Sequence, residues 1–214
     1  MNKPKAYIQA VRSREQMIAE YLLPKLEECG EFSEVEAVYD EKLNGPLFNF
    51  VQILEKAAVG EGSCFIFQDD SILHRQFKSC IRDVIEKLED FGMVSLFVPL
   101  RGAYLELEKD VNWVENTDHL WQPATGYTKE TILGLLEFAK SSEEKKHDDS
   151  MVRSYLKKNK KAVWVTVPSL VQHNLNVTSI AGNPKKIRGK VRMTESWWPT
   201  IPEGRYKEVK SVKI

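Results

Sequence analysis

The feature that most constrains this chain is the regular alternation in its first hundred residues, where apolar runs of strand length are separated by segments with helical spacing. "AYIQAV" (6–11), "EVEAVYD" (34–40), "CFIFQ" (64–68) and "MVSLFVPL" (93–100) read as strands. Between them, "SREQMIAEYLLPKLEECG", "PLFNFVQILEKAA" and "HRQFKSCIRDVIEKLEDFG" read as helices. In the first helix Ser13 and Gln16 have capping-box spacing, Met17, Tyr21 and Leu22 form an apolar stripe, and Gly30 is a stop signal. Pro24 is expected to kink that helix or end it early, and Pro46 suits the first position of the second. Alternating strands and helices demand crossover connections, which give a parallel sheet covered by helices. "CFIFQ", apolar without alternation, has the pattern of a strand buried on both faces. The expected fold is α/β: a single domain with a mostly parallel sheet flanked by helices.

Beyond residue 100 the regularity falls. "AYLELE" and "HLWQPATGY" are candidate strands, Thr128 is placed to cap "KETILGLLEFAK", "SMVRSYLKK" reads as a helix and "AVWVTVP" as a late strand. "KSSEEKKHDDS" (140–150) is the one polar low-complexity run, and "GNPKKIRGK" (182–190) reads as a loop. No apolar run approaches the roughly 18 residues that span a bilayer, and the start "MNKPKAY" lacks an apolar signal stretch. Three widely spaced cysteines (Cys29, Cys64, Cys80) match neither a disulfide framework nor a zinc spacing, so a reducing cytoplasm is expected. The formal net charge of zero hides an asymmetry: residues 151–214 hold 14 Lys/Arg against 3 Asp/Glu. Such a segment, which also carries Trp197, Trp198 and Tyr206, suits phosphate in a nucleotide or nucleic acid; a merely solubilising tail is the alternative.

The chemistry-bearing feature is the end of "CFIFQDD", where a buried strand runs into Asp69 and Asp70. In open α/β sheets, ligands gather at the carboxyl ends of strands. Adjacent carboxylates repel unless a cation intervenes, and a hard divalent cation takes carboxylate oxygens while leaving positions for substrate phosphates. A helix cap is the competing role for either residue.

Four motifs stand in order along the chain: "QDD" (68–70), "ATGY" (124–127), "HDD" (147–149) and "PSLVQH" (168–173). With them the chain resembles the nucleotide-sugar-dependent glycosyltransferases of the A fold, a Rossmann-like architecture, and most closely the small bacterial and phage type. The resemblance reaches from the first strand to about residue 180. It implies a catalytic domain over 1–180 and a basic, aromatic segment over 181–214 that closes over donor or acceptor. It implies metal ligation by Asp70 and His173, with Asp69 holding a metal-bound water or the ribose. It places Gly126 beside the donor sugar and the catalytic base at Asp149 or Asp148. Gln68 stands where the family has an acid, so the metal rests on Asp70 with less help than usual. The residues before the base also depart from the family, which leaves Asp148 and Asp149 both open. An ordinary helix start is the other role for Asp149.

Arg12 and Arg14, just past the first strand, are placed to reach the diphosphate or base, or else are solvated helix-start cations. The resemblance puts Asp40 near the uridine or ribose, and Lys186 and Arg188, with Lys185 and Lys190, over the diphosphate. Trp121 and Gln122 are candidates for the acceptor floor, Trp121 equally for the core. The expected activity is transfer of a sugar from a UDP-sugar to an acceptor hydroxyl, assisted by Mn²⁺ or Mg²⁺ and with inversion. A hydroxymethylated base in phage DNA is one acceptor that the basic segment suits. A glycan, lipid or protein acceptor is the alternative. Outside this class stand a non-catalytic nucleic-acid-binding module and a nucleotidyltransferase.

Overall fold

The computed structural model describes residues 2–97, 111–117, 123–144, 146–174, 200–201 and 203–213. Among them, β1 (Lys5–Ala10), β2 (Glu34–Tyr39), β3 (Cys64–Gln68), β5 (Met93–Ser95), β6 (Trp113–Asn116), β7 (Ala124–Tyr127), β8 (Val163–Thr166) and β10 (Ser211–Lys213) form one sheet in the order β10-β6-β8-β5-β7-β3-β1-β2. β1 pairs parallel with both β2 and β3, and β5 with β8. β7 runs antiparallel between β3 and β5, and β6 antiparallel to β8, so the sheet is mixed while its largest block runs one way. Two short strands, β4 (Ser71–Leu73) and β9 (Val171–His173), make a separate antiparallel ribbon.

The helices are α1 (Glu15–Met17), α2 (Leu23–Cys29), α3 (Pro46–Val59), α4 (Phe77–Phe91), α5 (Lys129–Ser141) and α6 (Asp148–Asn159). The segment around Pro24 neither ends nor breaks. It widens into a π turn at Ile18–Leu22, which ends two residues before Pro24 and its missing N–H, then resumes and stops at Gly30 in the left-handed conformation. The capping box expected at Ser13 does not form, because Arg12–Arg14 winds as a 3₁₀ turn. Thr128 caps α5 by accepting the Thr131 N–H.

Alternation along the strands divides the core in two. Ile8, Phe65 and Phe67 pack against Leu22, Leu26, Phe77 and Ile81 on one face. Tyr7 and Ile66 pack against Phe50, Ile53, Met151 and Val152 from α3 and α6 on the other. "ATGY", the end of the candidate strand "HLWQPATGY", is the central strand β7, and Gly126 lies against Phe65 in that packing. A Cβ added there would stand 2.6 Å from Phe65 Cε1 and 2.7 Å from its Cζ. Gly126→Ala is therefore expected to destabilise the fold by about 1–3 kcal/mol through overpacking. Urea unfolding should show that loss, and Phe65→Leu in the same chain should relieve much of it.

The described part of the C-terminal segment is built into the sheet. β10 extends β6 at the edge, and the buried Tyr206 donates its hydroxyl to Pro168 O at 2.7 Å while its ring meets Trp113. Thr200 and Ile201 bond to Arg75 and Gln76 just before α4. Lys185, Lys186, Arg188, Lys190, Trp197, Trp198, Trp121 and Gln122 lie outside the described residues, as does "AYLELE". No described helix is long and apolar enough to cross a membrane.

Candidate functional site

The register of the parallel block sets the site. Gln9 pairs with Gln68 and Ala10 with Tyr39, so β1, β2 and β3 end at one edge of the sheet. Asp69 and Asp70 leave β3 at that edge. The ladder runs one step further, with Asp69 N–H donating to Gln9 O at 3.1 Å.

The ribbon brings in the late histidine. Ser71 pairs with His173, which sets the imidazole beside the preceding residue, and His173 Nδ1 lies 3.3 Å from Asp70 Oδ1. Asn174 N–H donates to Asp70 O at 2.6 Å and closes the ribbon's end. The hydroxyl of Tyr21, from the π turn, accepts the Leu73 N–H of β4 at 3.1 Å, so the widened helix braces the strand pair that carries the histidine. Tyr21 entered the sequence reading only as part of an apolar stripe; its polar tip was the available signal.

The two aspartates differ. Asp69 is almost fully buried; its Oδ1 accepts from Arg14 Nη1 and its Oδ2 from Val11 N–H at 3.0 Å. Burial pushes its carboxyl up to about 6, and Asp70 adds to that, while Arg14 and the Val11 N–H pull the other way. Asp70 faces Arg14 Nη1 at 3.7 Å through Oδ2 and His173 through Oδ1. The intervening cation that the acidic pair demands is thus supplied by the chain itself, as Arg14. Arg12, two residues earlier, turns away. It bonds Glu41 and Glu15 and lies over the Tyr39 ring at 4.1 Å.

Asp40, at the end of β2, is buried and turned into its own loop. It accepts from Asn44 N–H at 3.0 Å and Gly45 N–H at 2.7 Å, and so shapes the turn into α3. Gly45, at φ 108, adopts a conformation few other residues take there.

Asp148 and Asp149 open α6 and are also unalike. Asp148 is buried; its Oδ2 accepts from Gln9 Nε2 at 2.9 Å and its Oδ1 from Asp149 N–H at 2.9 Å. Burial raises its carboxyl above the usual range, against the pull of the Gln9 amide. Asp149 is half-exposed, and Ser150 N–H donates to its Oδ1 at 2.7 Å. Gln9 was not singled out from the sequence. Its signal was a lone amide within the otherwise apolar "AYIQAV".

Asp70 and His173 form a donor pair of carboxylate and imidazole. Among the described residues no group of three His, Cys, Asp or Glu side chains gathers around one point. Two protein donors suit a hard cation that keeps waters and takes further oxygens from a substrate phosphate. Residues Arg14, Asp69, Asp70 and His173 thus come together, with Gln9 joining their edge to Asp148 and Asp149. Gly126, Arg12 and Asp40 engage other partners.

No protein-family model and no curated protein matches this chain. Solved structures are similar to it at low identity. One is the inositol-1-phosphate CTP transferase from T. maritima, at 11% identity and TM-score 0.37, covering 71% of this chain and 66% of that one. Another is the nucleoside-diphosphate-sugar pyrophosphorylase from Vibrio cholerae RC9, at 12% and 0.38, covering 79% and 75%. A third is a UDP-glucose pyrophosphorylase complexed with UDP-glucose, at 12% and 0.39, covering 76% and 72%. None of these similarities gives a residue of this chain a role.

Proposed function

We propose that this protein is a glycosyltransferase that moves a sugar from a UDP-sugar to an acceptor hydroxyl with inversion. The observation that carries the reading is the meeting of Asp70 and His173, 103 residues apart, at the carboxyl edge of a parallel block. An acid and an imidazole brought together by a dedicated strand pair fit a site for Mn²⁺ or Mg²⁺. When bound, that ion would act as a Lewis acid toward the leaving diphosphate. The chain's own residues do the rest. Arg14, held at the acidic pair, adds positive charge where a diphosphate would lie. Asp148 anchors the first turn of α6, and Asp149, the half-exposed acid, takes the proton from the acceptor hydroxyl. The donor class rests on the resemblance of the four motifs.

For the acceptor we favour a hydroxymethylated base in DNA. After Asp149, α6 and its following turn carry Arg153, Lys157, Lys158, Lys160 and Lys161 with no acid between them in sequence, the four lysines exposed and Lys161 paired with Glu130 at 3.0 Å. That ridge leads away from the proposed base and suits a phosphate backbone. DNA binding is then expected to weaken about 10-fold or more between 50 and 200 mM salt, in a fluorescence titration. A flat salt response with retained turnover would instead indicate a neutral glycan, lipid or protein acceptor.

The reading is tested by screening UDP-sugars for hydrolysis with Mn²⁺, with nucleoside triphosphates in a parallel arm. Release of UDP is the expected result. Turnover of triphosphates alone would make the chain a nucleotidyltransferase, and no metal-dependent UDP binding would leave a non-catalytic module.

A further inference from the structure

We infer that Gln9 is a positioning residue that holds the proposed base in register with the proposed diphosphate site. The inference rests on the reading above and concerns a residue given no role there. Gln9 is the last residue of β1 paired with β3, and three of its bonds run to three different elements: the end of β3 and the starts of α3 and α6. Its main-chain oxygen accepts the Asp69 N–H at 3.1 Å, which fixes the backbone at the acidic pair. Its side-chain amide donates to Asp148 Oδ2 at 2.9 Å and to Pro46 O at 2.8 Å.

The strand's alternation makes this possible. Ile8 and Ala10 enter the core beneath α2 and α4, whereas Tyr7 and Gln9 emerge on the face that α3 and α6 cover. Gln9 thus stands on that face where the first turns of α3 and α6 meet the sheet. Both amide protons are used, one on each helix start. Asp148 is buried and shares its oxygens between Gln9 and its own helix turn. Removing the amide takes the side-chain donor from a buried carboxylate. The first turn of α6 then loses its tie to β1, and Asp149 moves with it. The acidic pair keeps its own contacts, because the Asp69 bond uses the Gln9 main chain, which every substitution retains.

This predicts a split between binding and turnover. In Gln9→Leu, kcat for UDP-sugar hydrolysis with Mn²⁺ should fall about 100-fold, the cost of a base displaced by roughly 1 Å. KM for the donor, and the affinity for UDP with Mn²⁺ by calorimetry, should stay within about 3-fold of the parent. Pairing Gln9→Leu with Asp148→Leu removes donor and acceptor together, and the double variant should be no slower than the slower single one. Thermal melts accompany each variant, and kinetics are read well below the lowest melting temperature. A melting temperature that falls while kcat stays within 3-fold would reduce Gln9 to a structural residue and overturn the inference. A parallel loss of UDP affinity and kcat would also overturn it. If the parent chain hydrolyses no UDP-sugar, the functional reading itself fails, and that outcome is visible before any variant is made.

Discussion

Asp70→Ala is expected to lower Mn²⁺-dependent UDP-sugar turnover by about 10³-fold, the several kcal/mol that a Lewis acid contributes to a departing diphosphate. The site dictates why Asp70 and not its neighbour should show this. Asp69 offers one oxygen to Arg14 and the other to the Val11 N–H, so both its acceptors face protein donors. Asp70 is held less closely, with Arg14 Nη1 3.7 Å from its Oδ2 and the imidazole of His173 3.3 Å from its Oδ1. His173→Ala should cost less, about 100-fold, because it removes a neutral donor while the charged one stays. Neither change should unfold the chain. The Asn174 N–H bond that closes the ribbon goes to the main-chain oxygen of residue 70, and the β4–β9 ladder is main-chain as well. Calorimetry with Mn²⁺ and UDP separates a lost ligand from a lost base, since only the former weakens binding. Equal turnover by Asp70→Ala and the parent would show the acid–imidazole contact to be a clasp of the ribbon and nothing more.

The parts of this architecture that were legible in the sequence share a physical property: they are buried on both faces or periodic over many residues. "CFIFQ" had to be an interior strand, and the helix from Pro46 announced its own start. The β4–β9 ribbon was not legible. "SIL" and "VQH" are three residues each, too short for any period, and each finds its partner about a hundred positions away. The motif resemblance reached His173, but only folding places it against Asp70. Arg12 and Arg14 were likewise indistinguishable as letters. A 3₁₀ turn sends them in opposite directions, one to surface carboxylates and one to the buried pair. Gly126 has a reason in the packing that its letter does not announce: a Cβ there would meet the Phe65 ring. Asp40 was read only through the resemblance, near the uridine or ribose; its bonds to the Asn44 and Gly45 N–H groups, which shape the turn into α3, follow from the fold.

Arg14 carries the second large expectation. Arg14 and Asp69 are a buried ion pair, their side chains 10% and 5% exposed. Truncating one partner of such a pair strands the other, at about 3–5 kcal/mol. Arg14→Met, measured without added metal near pH 7.5, should therefore melt about 10 °C below the parent, at 2–4 °C per kcal/mol for a chain of this length. The pH dependence has a definite sign. Burial already raises Asp69 to about 6 with Arg14 present, and losing the guanidinium raises it further. The folded variant then holds a proton that the unfolded chain, titrating near the usual carboxylate value, has released. Its stability falls as pH rises between those two values, so its deficit against the parent should shrink from pH 7.5 toward pH 5. Adding Asp69→Asn removes the stranded charge while its amide oxygen still accepts from the Val11 N–H, and most of the lost stability should return. That double variant isolates the second role of Arg14. It keeps Asp70 and His173 and lacks the cation 3.7 Å from Asp70 together with the Asp69 carboxylate, so its reference is Asp69→Asn alone. UDP affinity should be weaker than that of Asp69→Asn alone at equal Mn²⁺, since the guanidinium is one of the charges a diphosphate would meet. Unchanged UDP affinity in the restored fold would confine Arg14 to balancing Asp69.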